Sequence, residues 1–442
     1  MSASLTSGTP AKLILRFALP LLIGNLFQQL YGMVNTLIVG RFLGVDALAA
    51  VGSTGGLMFL TVGFVQGMTA GFSIVTAQHY GAGDRAGVRR SFWASIVLGA
   101  LSSAVLTILC LLFTRDLLEL LSTPPEIIDA AFGYIRIILY GISSSVLFNL
   151  LSNSLLALGD SRPPLFFLII SCLLNIGLDL FFILVMDMGV RGAGWATLCA
   201  QFSAGLLCIF YIMTRVAALR PHARDLRVRA QELLRGARIG LPMGFQASII
   251  AVGAIILQWA LNTLGAEAVA AFAVARIIDM VAILPLASFG LAMATYVGQN
   301  YGAGNIPRIR QGVRHCCALS LSFSIAAAFL NIFGGRIIIP LFVGADQKVV
   351  TDLAQTFLNI NGCMYWVLAL LFVFRFTLQG LGQSLVPTLA GIMELCMRAL
   401  AAILLTRYFG FNGAACASPL AWLGACIPLA LAYFFTIRRL KA

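Results

Sequence analysis

The sequence predicts an all-α integral membrane protein, with twelve transmembrane helices in two six-helix lobes related by a parallel internal repeat. Three observations predict it. Of 442 residues, 60% are hydrophobic and only 10% charged, whereas a soluble domain carries about 25% charged residues. Apolar runs near the ~20 residues that cross a bilayer recur along the whole chain. They are continuous rather than alternating, which argues against a membrane β-barrel. Finally, one set of landmarks occurs twice at an almost constant spacing.

Taken in order, spans are expected at 13–40, 48–78, 92–113, 127–152, 164–186 and 191–214, then at 236–261, 269–298, 315–334, 354–380, 387–407 and 413–437. The polar start "MSASLTSGTPAK" is followed by no small-residue cleavage site, so no signal peptide is expected. Pro20 in the first span and Pro242 in the seventh are expected to kink their helices. "QHYGAGDRAGVRR" closes the second span, "GDSRPP" opens the fifth and "GVRGAG" opens the sixth. Most of the 29 lysines and arginines fall in the N-terminus, the even-numbered loops and the C-terminus. By the positive-inside rule both termini are then cytoplasmic in a multi-pass inner (plasma) membrane protein. The same sorting accounts for the net charge of +13 without nucleic acid. The basic stretch 215–238 reads as a cytoplasmic linker between an N-terminal lobe, 1–214, and a C-terminal lobe, 239–442. The ten cysteines are scattered with no CxxC pair, so they read as small apolar residues rather than disulfides or metal ligands.

The repeat is read residue by residue. Pro20 answers Pro242, and Gly44 answers Gly265. Gln78, Tyr80 and Gly81–Gly83 answer Gln299, Tyr301 and Gly302–Gly304. Gly159, Ser161 and Pro164 answer Gly382, Ser384 and Pro387. Gly189, Gly192 and Ala193 answer Gly410, Gly413 and Ala414, all at offsets of 221 to 223. Six spans per copy insert both copies the same way up, an arrangement used by secondary transporters that expose a central cleft to either side in turn. The doubled Gln-x-Tyr-Gly-Ala-Gly raises the question of a phosphate cradle. Neither copy carries the GK[ST] of a P-loop, and both lie where a helix must stop with a left-handed glycine. No nucleotide is expected, so transport energy falls to an ion gradient.

"PLLIGNLFQQLYGMVNTLIVGRFLGVDALAAVG", "QHYGAGD", "LGDSRPP" and "NIGLDLFFI" resemble the multidrug and toxic compound extrusion (MATE) family of bacterial type, over nearly the whole chain. The resemblance implies a multidrug efflux antiporter that exports amphipathic, often cationic, drug-like compounds in exchange for protons or sodium ions, without a cofactor and as a monomer.

Ionisable residues inside spans are functional candidates by default. Asp179 leads them, with Asn175 one turn earlier on the same face. At 1.5 Å per residue, Asp179, Asn35 and Thr197 lie about 8–12 Å below the outer ends of spans five, one and six. The resemblance implies a cation or proton coupling site at Asn35, Asn175, Asp179 and Thr197. Asn35 departs from the Asp usual in the family, which removes one titratable group. The competing reading makes Asp179 a structural acid bonded to Asn175 and a neighbouring helix. The second lobe has Arg398 and the apolar stretch 400–402 at the corresponding places, so ion coupling is expected in the first lobe. Arg375, Glu394 and Arg398 are expected to form structural ion pairs, and Arg136 to pair with Asp129. Candidates for the drug cleft are Gln28, Gln29, Tyr31, Met33, Phe64, Met68, Gln258, Arg276 and Asp279. A flippase for a lipid-linked precursor is the alternative function, although it would need a strongly cationic cavity. A membrane enzyme would need a catalytic cluster that the sequence does not display.

Overall fold

A computed structural model describes residues 4–120, 123–220, 228–344 and 346–440. The first repeat contains α1 (Pro10–Leu43), α2 (Val45–Ser53), α3 (Gly55–Gly81), α4 (Arg85–Leu120), α5 (Pro125–Tyr140), α6 (Ile142–Ala157), α7 (Arg162–Leu180) and α8 (Val190–Arg215). The second contains α9 (Ala230–Asn262), α10 (Ala266–Gly302), α11 (Ile306–Ile338), α12 (Pro340–Val343), α13 (Lys348–Gly362), α14 (Tyr365–Gly380), α15 (Leu385–Leu400) and α16 (Thr406–Arg439). Part of the expected linker, residues 221–227 with His222, lies outside the described residues.

Among the described residues nine helices are long and apolar enough to span a membrane. Two bent pairs, α5 with α6 at 44° and α13 with α14 at 50°, add one crossing each. The stretch Leu385–Arg439 has 55 residues, about 80 Å of helix against a ~30 Å hydrocarbon core. It is broken at Gly410 (φ 56°, ψ −133°), which gives it two crossings. Twelve spans result.

The repeat is written in the backbone as well as in the residue types. Gly44 and Gly265 have φ 87° and 96°, Gly83 and Gly304 have 72° and 70°, Gly159 and Gly382 have 84° and 82°, and Gly189 and Gly410 have 58° and 56°. Each repeat also widens into a π-helical turn at the same place, Phe181–Val185 and Ala401–Leu405.

Packing groups the chain into two compact units. One comprises Pro20–Gly244, and the other Leu5–Leu19 with Phe245–Ala442. Helix α1 therefore changes unit at Pro20, and α9 changes unit two residues after Pro242. Both prolines lie inside continuous helices. In the first unit α9 seats on α3 through small residues. Gly67 and Gly71 of α3 meet Met243, Gly244 and Gly240 of α9 so closely that a Cβ on either α3 glycine would strike the α9 backbone. Small-xxx-small spacing on both helices permits this approach, which replaces the hydrophobic driving force missing in lipid. Phe64, Met68 and Phe72 fill the flanks of that contact. In the second unit α9, α10, α13 and α16 share an apolar core around Phe272, Phe357 and Phe411.

Candidate functional site

Three helices of the first unit bring polar groups together inside apolar sequence. Asn175 and Asp179 stand one turn apart on α7, just before its π turn, a feature often found at functional sites. Tyr31 and Asn35 stand one turn apart on α1, and Thr197 faces them from α8. The Thr197 hydroxyl donates to Ala193 O at 3.0 Å. Its oxygen is therefore an acceptor for its two other neighbours, the Tyr31 hydroxyl at 3.1 Å and Asn175 Nδ2 at 3.3 Å. Tyr31 also lies within electrostatic range of Asp179. The Tyr134 hydroxyl of α5 is likewise within electrostatic range of Asp179.

The hydroxyls of this cluster and the Asn175 amide nitrogen are hydrogen-bonded, and its amide and carboxylate oxygens are not. Asp179 is 0% exposed, yet both its carboxylate oxygens lack a hydrogen-bond partner, as do Asn35 Oδ1 and Asn175 Oδ1. Buried polar atoms are almost always partnered, and each exception needs a cause. An acceptor-rich set with one carboxylate is complete only when a proton or a cation joins it. A cavity lined by Met58, Thr61, Ile138, Ser145, Thr197 and Gln201 borders the cluster in the same unit.

The second unit handles its charges differently. Asp279 accepts from the Tyr365 hydroxyl, which in turn accepts from Asn331 Nδ2 at 2.8 Å. Arg276 is exposed on α10 and acts on Asp279 only through its field. Glu394 is gripped from both sides. Arg375 Nη2 lies 2.5 Å from Oε2 and Arg398 Nη2 lies 2.8 Å from Oε1. Gln246 ties the neighbouring helices by donating to Pro387 O at 2.7 Å and accepting from Gln379 at 2.8 Å.

The structure gives each cleft candidate a definite environment. Met68 is 0% exposed and Phe64 is buried, because the α3–α9 glycine contact draws both into the core. Tyr31 belongs to the polar cluster. Gln258 donates to Asn262 on its own helix at 2.9 Å. Gln28 and Met33 are exposed and Gln29 is half-buried on α1. Asp279 is buried and accepts from Tyr365. Arg136 donates to Tyr140 at 3.0 Å, while Asp129 lies 3.6 Å from Arg115, so the expected Arg136–Asp129 pair does not form. Sequence reasoning missed Tyr134, Tyr365 and Gln201. A buried tyrosine in an apolar helix carries no local signal of its hydroxyl's partner.

Comparison with known proteins agrees with this architecture. The MatE family model matches residues 20–181 and again 242–404. The chain is 28% identical over 395 residues to the Bacillus subtilis (strain 168) "Probable multidrug resistance protein YoeA", covering 86% of this chain and 83% of that protein. It is 26% identical over 405 residues to the Thermotoga maritima "Probable multidrug resistance protein NorM", covering 90% and 86%. Among solved structures, an outward-facing multidrug resistance MATE family transporter of the MOP superfamily superposes with a TM-score of 0.91 at 23% identity, over 99% of this chain and 98% of the other.

Proposed function

Because the chain belongs to the MatE family, we propose that it is a secondary multidrug antiporter, exporting amphipathic, often cationic compounds from the cytoplasm by alternating access in exchange for protons or sodium ions. The observation that carries the coupling reading is the set of buried, unpartnered oxygens of Asn35, Asn175 and Asp179. A bare carboxylate in this setting is costly. Arrival of a proton or a monovalent cation removes that cost, and its departure restores it. Occupancy can therefore bias a two-state transporter, since a ligand shifts an equilibrium by its differential affinity for the two states. Asp179 is the only acid of the cluster, which suits one monovalent cation per cycle. Thr197 and Tyr31 orient the neutral ligands.

A flippase for lipid-linked precursors would need unpaired arginines within the spans. Arg375 and Arg398 both engage Glu394, which weighs against it. Drug efflux from proteoliposomes under separately imposed proton and sodium gradients tests the proposal. Gradient-driven efflux by the parent and none by Asp179→Asn is the expected pair of results. Equal efflux by both would remove Asp179 from coupling.

A further inference from the structure

The duplicated glycine-rich motif has no part in the transport reading, yet in each unit it meets the start of an incoming helix. In the first unit Gln78 Oε1 accepts from Arg235 Nη2 at 2.8 Å, on the opening turns of α9. In the second, Gln299 Oε1 accepts from the Leu5 backbone N–H at 2.9 Å. There Asn300 Nδ2 donates to Leu5 O at 3.2 Å and Arg308 Nη2 to Gly8 O at 2.7 Å, just ahead of α1. Each motif thus holds the beginning of the other repeat's first span.

The two clasps differ in chemistry. Where the second repeat has Asn300, Asn305 and Arg308, the first has His79, Asp84 and Gly87. Asp84 and Asn305 do the same local task, capping α4 through Gly87 N–H at 2.8 Å and α11 through Arg308 N–H at 3.2 Å. Only the first clasp carries an imidazole. His79 Nδ1 lies 3.2 Å from Asp84 Oδ2, and Nε2 lies 3.9 Å from Glu232 Oε2 of α9. Arg90 of α4 stands 3.7 Å from Asp84 and 3.9 Å from Glu232. Arg235 stands beside them, bonded to Gln78. Gly87 leaves the room, since a Cβ there would collide with the ring and with the Asp84 carboxylate.

We propose that His79 is a proton-operated latch between the end of α3 and the start of α9. A neutral ring has one N–H. With that hydrogen on Nδ1 toward Asp84, Nε2 presents a lone pair to a carboxylate, and His79 Nε2, Glu232 Oε2 and Arg90 Nε are buried without hydrogen-bond partners. A protonated ring donates to both carboxylates. Closing the Glu232 gap to an ordinary hydrogen bond takes a movement of about 1 Å. Asp84 is held below the usual carboxylate range, first by the Gly87 N–H and then by His79 and Arg90, against the opposing effect of burial. It therefore remains the fixed anion in either protonation state of the ring. The latch tightens when the ring carries a proton on both nitrogens and loosens when one of them is lost. The side it senses rests on the orientation argued from the basic loops, which makes it cytoplasmic. The latch itself does not depend on that orientation.

Hydrogen exchange of the purified full-length protein at about pH 6 and about pH 8, corrected for intrinsic rates, tests this in the histidine range. Amides of 230–240 should exchange about tenfold more slowly at the lower pH, the order given by one added charge-assisted hydrogen bond. Amides of 5–15, held by the clasp that lacks a histidine, should show no difference. His79→Asn, which copies the second repeat, and Glu232→Gln should each erase the effect at 230–240. No pH effect in the parent, an equal effect on both segments, or an effect that survives His79→Asn overturns the latch. Because the measurement uses detergent-solubilised protein without a gradient, failure of the coupling or orientation readings leaves it untouched.

Discussion

Thr197 joins three neighbours through one hydroxyl, accepting from Tyr31 and Asn175 while donating to Ala193 O. Thr197→Val keeps the shape and strands two donors, at about 1–3 kcal/mol for each buried group left unpaired. A lowered unfolding temperature, read by thermal denaturation in detergent, is the expected outcome. An unchanged temperature would mean the hydroxyl orients nothing. Glu394 is a different kind of acid, because both its oxygens are engaged by arginines at 4% residue exposure. Removing it strands two buried guanidinium groups, a loss of about 3–5 kcal/mol by comparison with other broken buried pairs. Glu394→Gln should therefore lower stability or alter substrate range and leave ion dependence intact. A well-folded variant that lost only ion dependence would place coupling in the second unit. Asn35→Asp adds a second carboxylate to the cluster. Two neighbouring carboxylates cannot both be ionised cheaply without a cation. That variant should keep transporting, with its pH optimum shifted upward or with new sodium sensitivity, as read from efflux against pH and sodium.

At the scale of elements, the repeat was the most legible feature, because paired left-handed glycines leave paired letters in the sequence. Gly189 and Gly410 occupy backbone regions open almost only to glycine, with φ 58° and 56° and ψ −144° and −133°. Gly189→Ala and Gly410→Ala should each cost about 1–3 kcal/mol. Gly177→Ala, a helical position with nothing within 4 Å of the added carbon, should be neutral or slightly stabilising. Thermal denaturation of the three variants side by side checks the order. Asn175, Asp179 and Thr197 were legible because polar letters stand out in apolar helices. Tyr31, Phe64 and Met68 were not. An aromatic or Met on a span gives no sign of whether it meets lipid, drug or protein, and the α3–α9 glycine contact that buries Phe64 and Met68 joins segments far apart in the chain. The Tyr365–Asp279 bond, between residues 86 apart, was hidden for the same reason.

For the whole molecule, the proposed cytoplasmic placement of both termini rests on the distribution of basic residues. A cysteine placed at Arg220, in a variant cleared of the ten native cysteines, should resist impermeant thiol reagents added outside intact cells and react once the membrane is opened. Labelling in intact cells would invert the topology. The central claim is that occupancy of the Asp179 cluster drives export. Its most direct test is drug efflux from proteoliposomes under an imposed proton gradient and, separately, an imposed sodium gradient, with drug binding measured on the same preparations. The account predicts that Asp179→Asn retains drug binding and loses efflux under whichever gradient drives the parent. Efflux by Asp179→Asn at the parental rate under that gradient would contradict it, and would move the search for the coupling group to Asp279 or Glu394.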